Sequence, residues 1–298
     1  MANILLVLDS LNWGGHHAAR AVAKICSNKH HFDITDISQL HETPALNDAE
    51  LVMAWIDSAE KPVYDACKNL KNVKMASRIP GWKGVFRAAR MRQRTHKAMS
   101  GVVCCNSELE ISSAQIYKHN NNVVTITNGV FTDVFTPAPE INHTGKWLWV
   151  GRQHDEQKDY GMLERIQDSF DRKIRVKGQK WKDGKVVPTN WPMEMVRRYQ
   201  AAKGYMRTSR NEGSSNCLLE AMSSGLPVVA TPTGVAPRLL DPLSLATSET
   251  HIIRAMRMYD DVELAIAHGQ RNREVIKSGW RWSQRAAPYL EFFEKCLE

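Results

Sequence analysis

Short apolar runs alternate with helical periodicity from the first residues onward. Residues 4–9, ILLVLD, form an apolar run that ends on a polar residue, the pattern of a strand buried on both faces. Asn12-Trp13-Gly14-Gly15 reads as a turn, and residues 16–29 carry helical spacing. Further strands are predicted at 33–37, 51–56, 73–77, 102–105 and 123–127, with helices at 62–69, 84–99 and 108–117. Strands that alternate with helices imply a parallel sheet covered on both faces.

Residues 132–145 contain Pro137 and Pro139, show little periodicity and are expected to form a linker. The alternation then restarts, with strands at 147–150, 173–177, 205–208 and 228–230 and helices at 160–170, 192–202 and 216–224. A last helix is expected near 284–297. The expectation is an α/β chain of two domains, residues 1–140 and 141–298. No short-period repeat or low-complexity tract interrupts them.

Composition narrows the picture. A chain of 298 residues is long enough for two modest cores. No apolar run reaches the roughly 18–20 residues of a membrane span. The N-terminal MANILLVLD lacks the basic leader of a signal peptide. Cys26, Cys67, Cys104, Cys105, Cys217 and Cys296 form no C-x-x-C pair, so reduced thiols and a cytoplasmic location are expected. The net charge of +8 favours anionic partners without naming one. Missing motifs exclude more. The chain has no G-x-G-x-x-G, no P-loop, no H-E-x-x-H and no G-x-S-x-G. It also lacks a D-x-D pair to hold a divalent ion on a diphosphate.

Candidate chemistry concentrates in residues 205–234, YMRTSRNEGSSNCLLEAMSSGLPVVATPTG, which read as strand, polar loop, short helix, glycine turn and strand. A loop entering a helix offers backbone amides and the positive end of the helix dipole, where anionic phosphate binds. Gly213 permits close backbone approach. Ser214, Ser215 and Asn216 either cap the helix or bond to a ligand. Glu220, about one turn into the helix, can accept two hydroxyl hydrogen bonds, as a ribose diol offers. Glu212 lies in the loop, within reach of a sugar hydroxyl. Capping serines and a first-turn glutamate are also ordinary helix chemistry, so these residues taken singly leave both readings open.

The full string resembles the E-x7-E motif of retaining GT-B glycosyltransferases, particularly the large family 4 type. Glu212 and Glu220 fall on its two acidic positions. Ala221-Met222, Gly225-Leu226-Pro227-Val228-Val229 and Gly234 also match. Asn128-Gly129-Val130, with Asp133 and Phe135, resembles the segment that closes that family's first domain. Trp149-Val150-Gly151-Arg152, with Lys158, resembles the strand and loop that open the second. Gly14-Gly15 resembles its N-terminal glycine turn.

The resemblance implies two Rossmann-like domains facing a cleft, with the C-terminal helix packing back toward the first. It implies a nucleotide-diphosphate sugar of UDP, GDP or ADP type as donor, no separate cofactor, and transfer with retention and without a metal. Arg152 and Lys158 would lie over the diphosphate, Glu212 on the transferred sugar and Glu220 on the ribose. Gly151, Gly213 and the amides of Ser214, Ser215, Asn216 and Cys217 would complete the donor contacts. Gly14 and Gly15 would let the first domain approach. Two cations and a helix amino end would stabilise the departing diphosphate by about 2–4 kcal/mol per well-placed donor. Two departures matter. Lys158 is followed by Asp159-Tyr160-Gly161, where the family usually has glycine directly, which favours Arg152 as the phosphate residue. Ser-Ser-Asn replaces bulkier apolar residues, so the sugar's identity does not carry over.

Other candidates have two readings each. His16 and His17 open a helix beside the glycine turn and either touch acceptor or phosphate or simply cap the helix. Cys217 is read as a packing residue, with a lowered thiol pKa near a helix start as the alternative. Trp191 either flanks a nucleotide base or packs. Residues 78–97 hold Arg78, Lys83, Arg87, Arg90, Arg92, Arg94 and Lys97 and no acid, with Trp82 and Phe86 interleaved. This is a solvated face or a surface for anionic lipid or nucleic acid, with Arg87 and Arg90 as acceptor candidates. The acceptor stays open between hydroxymethylated DNA bases, which would have to be extruded, and a lipid or cell-envelope saccharide reached from the membrane surface. A nucleotide-sugar epimerase and a non-catalytic nucleic-acid-binding protein on the same scaffold are the alternatives to transfer.

Overall fold

The computed structural model describes residues 1–11, 14–90, 93–139, 145–153, 155–169, 175–177, 181–182, 185–186 and 191–298. They form two compact units, Met1–Asn128 with Trp282–Glu298, and Gly129–Arg281.

In the first unit six strands form one parallel sheet. They are β1 (Asn3–Leu8), β2 (His31–Asp36), β3 (Leu51–Ala54), β4 (Lys74–Ile79), β5 (Met99–Cys104) and β6 (Val123–Thr125), in the order β2-β1-β3-β4-β5-β6. The apolar runs seen in the sequence are the central strands: Ile4, Leu5, Leu6, Val7 and Leu8 are all buried, as both faces of a parallel sheet are covered. The covering helices are α1 (Gly14–Cys26), α2 (Ala45–Asp48), α3 (Glu60–Cys67), α4 (Trp82–Arg90), α5 (Gln93–Ala98) and α6 (Ser107–Ile116). The helix expected over 84–99 is helical over Trp82–Arg90 and Gln93–Ala98, with residues 91 and 92 outside the described residues, and Met99 already belongs to β5. The turn expected at Asn12-Trp13 lies outside the described residues. The C-terminal segment joins this unit. Tyr289 stacks on Trp55 with ring centroids 5.9 Å apart, and a Cβ on Gly101 would collide with Phe292 and Cys296.

In the second unit β7 (Lys146–Val150), β8 (Arg175–Lys177), β11 (Ala202–Arg207) and β12 (Val228–Ala230) pair in parallel in the order β12-β11-β7-β8. Between them β9 (Trp181–Lys182) and β10 (Lys185–Val186) form an antiparallel hairpin that the periodicity did not signal. The helices are α7 (Tyr160–Ser169), α8 (Met193–Gln200), α9 (Asn216–Ser223), α10 (Ala236–Leu239), α11 (Glu249–Met258) and α12 (Val262–Gly279), and α13 (Ala286–Leu297) closes the chain in the first unit. Residues 132–139, expected to begin a linker, are instead packed into this unit. Phe135 is 1% exposed, its carbonyl accepts from Ser223 Oγ at 2.7 Å and Arg273 Nη1 at 3.1 Å, and the Thr136 carbonyl accepts from Gln200 Nε2 at 3.2 Å.

Helix α9 is clamped at its carboxyl end. Gly225 has φ +70°, a left-handed conformation that closes the helix at little cost only in glycine. Asn272 Nδ2 on α12 donates to the Leu226 carbonyl at 2.9 Å. A Cβ on Gly269 would collide with the Gly225 carbonyl. Gly269→Ala is therefore expected to force α12 off α9 and to destabilise the protein by about 2–4 kcal/mol. Thermal unfolding measures it; an unchanged midpoint contradicts this packing.

Candidate functional site

Open parallel sheets bind ligands beyond the carboxyl ends of their strands, where the strand order reverses. In the second sheet that point lies between β7 and β11, because β7 is followed in sequence by β8 on one side and flanked by β11 on the other. Gly151 and Arg152 follow β7, and the segment leading to Glu212 follows β11. Gly151 is required by packing: a Cβ there would collide with the Trp149 ring. Arg152 is half-buried.

Lys158 ends a short 3-10 turn capped by Asp155, whose side chain accepts from the Gln157 amide. Its Nζ lies 2.5 Å from Glu212 Oε1. Several bonds hold this pairing in register. Thr208 Oγ1 donates to the Lys158 carbonyl at 2.8 Å, and Trp149 Nε1 donates to Thr208 Oγ1 at 3.0 Å. The Arg210 amide donates to the Gln157 carbonyl at 2.8 Å, and its Nε bonds Asp159 Oδ2 at 2.7 Å. Ser209 Oγ donates to Glu212 Oε1 at 2.8 Å. Burial pushes the Glu212 carboxyl up, but Lys158, Arg207 and Ser209 together outweigh it and hold it below the usual carboxylate range.

Helix α9 starts directly after this loop, with Ser215 at its N-cap position. The Ser215 side chain makes no capping hydrogen bond, so the sequence expectation of a serine cap is not met there. Glu220 is 7% exposed. Its Oε2 accepts from Tyr199 Oη at 2.9 Å, and Tyr199 Oη also bonds the Cys217 carbonyl at 3.3 Å. Burial pushes the Glu220 carboxyl from 4.5 up to about 7, with hydrogen bonds from Tyr199 and Trp191 pulling the other way. The Cys217 thiol is pushed up to about 12 by burial and then by Glu220. The lowered thiol considered from its helix position does not occur, and Cys217 packs against the core. Trp191 also packs there, with its ring centroid 6.3 Å from Phe135.

The opposite wall of the loop is the segment after β12. The Val235 amide donates to the Gly213 carbonyl at 3.1 Å, and Gly234 has φ +58°. A Cβ on Gly234 would collide with the Gly213 carbonyl and press on Glu212. Gly213, Ser214 and Ser215 are buried, and Asn216 and Cys217 half-buried, so the loop is built into the unit rather than free on its surface.

The first unit has its own switch point, between β1 and β3. Gly14 and Gly15 open α1, and the Gly15 carbonyl accepts from Trp55 Nε1 at 3.0 Å. His16 and His17 stack with centroids 6.0 Å apart. Burial, then His16 and Arg20, pushes His17 down to about 4, and burial followed by Arg20 lowers His16. Both imidazoles are thereby shifted toward their neutral form. Arg87 pairs with Asp57 at 2.7 Å, while Arg90 is exposed. The basic stretch is not one surface. Arg78 is 2% exposed, stacks 4.7 Å over Trp55 and donates to Asn128 Oδ1 at 2.6 Å, whereas Phe86 is 61% exposed. Asp9, Asp57 and Ser58, which the sequence reading did not single out, also gather here. Ser58 Oγ bonds Asp9 Oδ2 at 3.2 Å. Among the described residues no three His, Cys, Asp or Glu side chains gather where a metal ion could be held.

Residues 138–257 match the family model described as Glycosyl transferases group 1. The chain is similar in structure to HepE of Anabaena in complex with UDP and glucose, at 11% identity over 99% of this chain and 100% of that one, with a TM-score of 0.72. It is similar to sucrose-phosphate synthase from Thermosynechococcus elongatus, at 12% identity over 98% of both chains, with a TM-score of 0.75. A glycosyltransferase from Rickettsia africae is 14% identical over 99% of this chain and 98% of that one, with a TM-score of 0.67. No curated protein matches the sequence. The fold is α/β with parallel sheets, of the GT-B kind, and the match to the group 1 glycosyltransferase model covers residues 138–257.

Proposed function

We propose that residues 138–257 form a group 1 glycosyltransferase domain that binds a nucleotide-diphosphate sugar, and that the chain transfers the sugar to an acceptor hydroxyl. The observation that carries the reading is the meeting of Lys158, Glu212 and the amino end of α9 beside the switch point of the second sheet. A diphosphate is a dianionic leaving group, and a helix amino end with an adjacent ammonium suits it. Arg152, half-buried at the end of β7, adds a second cation. Glu212 is ionised and bears on the transferred sugar, since a carboxylate accepts hydroxyl hydrogen bonds. Glu220 accepts from the ribose. Gly151, Gly213 and the amides of Ser214, Ser215, Asn216 and Cys217 complete the donor contacts. UDP and glucose in the HepE complex support a donor of this class.

The E-x7-E spacing supports retention, and the lack of a D-x-D pair supports transfer without a divalent ion. The acceptor is a hydroxymethylated DNA base or a lipid or cell-envelope saccharide, bound by the first unit with His16, His17, Arg87 and Arg90 as its contacts. No described helix is long and apolar enough to cross a membrane. The test is incubation with labelled UDP-, GDP- and ADP-sugars against DNA, lipid and polysaccharide acceptors, with and without EDTA. The expected result is label in one acceptor fraction, unaffected by EDTA. Label in none, or a change of donor stereochemistry without acceptor, contradicts the reading.

A further inference from the structure

Arg207 ends β11, only 2% exposed, and its charge bears on Glu212 yet has no part in the donor reading. Its Nη2 donates to the Thr231 carbonyl at 2.9 Å, the Thr233 carbonyl at 2.9 Å and Thr233 Oγ1 at 3.0 Å. Nη1 and Nε are buried without a hydrogen-bond partner among the described residues. A guanidinium brings five donors, and leaving two of its nitrogens unpaired in the interior is costly unless its charge or shape is needed there. Thr233 Oγ1 in turn reaches the Ser209 carbonyl at 3.3 Å, Thr231 Oγ1 donates to the same carbonyl, and Ser209 Oγ donates to Glu212 Oε1 at 2.8 Å. Ser209 is thus tied to the Arg207–Thr233 pair through its carbonyl and to the Glu212 carboxylate through its hydroxyl.

We propose that Arg207 is a positioning residue for Glu212: it clamps the segment after β12 under the loop after β11 and supplies a fixed buried charge that keeps the carboxylate in its sugar-facing state. The role of Glu212 rests on the donor reading given above. The physical need arises in turnover. Lys158 is the exposed partner of the ion pair, with its side chain 27% exposed, and it is also the cation offered to the diphosphate. When it turns to the leaving group, Glu212 loses its nearest cation while staying buried. A carboxylate so stripped would take up a proton, and a protonated Glu212 is a poorer acceptor of hydroxyl hydrogen bonds. Arg207 is buried and bonded to the segment after β12, so its charge does not swing away. The other titratable groups facing Glu212 do not substitute for it: Tyr205 and Cys217 are held neutral by burial.

The test uses the full chain with 13C-labelled glutamate, the Glu212 signal being identified by its loss in Glu212→Gln. In the wild type Glu212 titrates below the ordinary carboxylate range. In Arg207→Met it is expected to titrate about one pH unit higher, and in Arg207→Lys to stay low because the charge remains. Under initial-rate conditions, the acid limb of kcat/KM moves up with it in Arg207→Met, a loss of about tenfold on that limb. A folded Arg207→Met in which the Glu212 titration is unmoved overturns the proposal. If Arg207→Met does not fold, Arg207→Gln removes the charge while keeping a hydrogen-bond donor for the Thr231 and Thr233 carbonyls, and an unmoved Glu212 in that folded variant overturns it equally. Failure of the donor reading shows up separately, as a moved Glu212 titration in a protein that neither binds nor turns over any nucleotide sugar.

Discussion

Glu220→Gln is expected to raise the thermal stability of the protein at pH 8 while weakening nucleotide binding. The carboxyl is 7% exposed and titrates at about 7 instead of 4.5, because burial disfavours its charged form more than Tyr199 and Trp191 favour it. A carboxyl whose pKa rises on folding binds more protons folded than unfolded across that interval, so stability falls as pH climbs through it. Its contribution is complete below pH 4.5 and gone above about 7. A shift of this size corresponds to at most about 3 kcal/mol at pH 8. Gln has no charge to desolvate and still accepts from Tyr199. The unfolding midpoint should rise at pH 8 and match the wild type at pH 4. Glu60, pushed up to about 6 by burial, tilts both curves alike and cancels in the comparison. Gln offers a ribose diol only one acceptor and no charge, so nucleotide affinity should fall about 10–100-fold, measured by calorimetry. A midpoint at pH 8 equal to the wild type, or an affinity equal to it, contradicts this account of the residue.

Gly234→Ala is expected to be as damaging to the site as removal of a carboxylate, although Gly234 offers no chemistry. Its φ of +58° costs an L-residue about 1–2 kcal/mol. The added Cβ also meets the Gly213 carbonyl and the Glu212 side chain. Neither obstacle is the end of a flexible chain, so the loop after β11 must move. The expected loss is about 2–4 kcal/mol of stability, with donor affinity falling further than the stability change alone explains. Thermal unfolding and donor titration on the same preparation separate the two effects. Full donor affinity in this variant would mean that the loop is not part of the site.

The contiguous parts of this site were legible in the sequence, and the parts assembled by sheet pairing were not. Residues 212–220 follow one another along loop and helix, so their spacing alone put two acids around a helix amino end. Lys158 and Glu212 are 54 residues apart and meet because β7 and β11 are neighbours. Arg207 reaches Thr231 and Thr233 because β11 pairs with β12. Tyr199, which bonds Glu220, lies in α8 and carried no signal of its own. Burial was the other blind spot. A charge count assigned Arg78 to a basic stretch, whereas its place near the end of β4 buries it against the face of Trp55. Phe135 read as part of a polar, proline-containing stretch, yet one buried aromatic suffices to tie such a segment to a core.

Calorimetric titration of UDP, GDP and ADP into the wild type, Lys158→Ala and Glu220→Ala tests the central claim most directly. One of the three diphosphates should bind at one site per chain in the wild type, and each substitution should weaken it at least tenfold while the protein stays folded. Binding of none of them to the folded wild type, or binding that both substitutions leave unchanged, would contradict a donor site built from Lys158, Glu212, Glu220 and the amino end of α9.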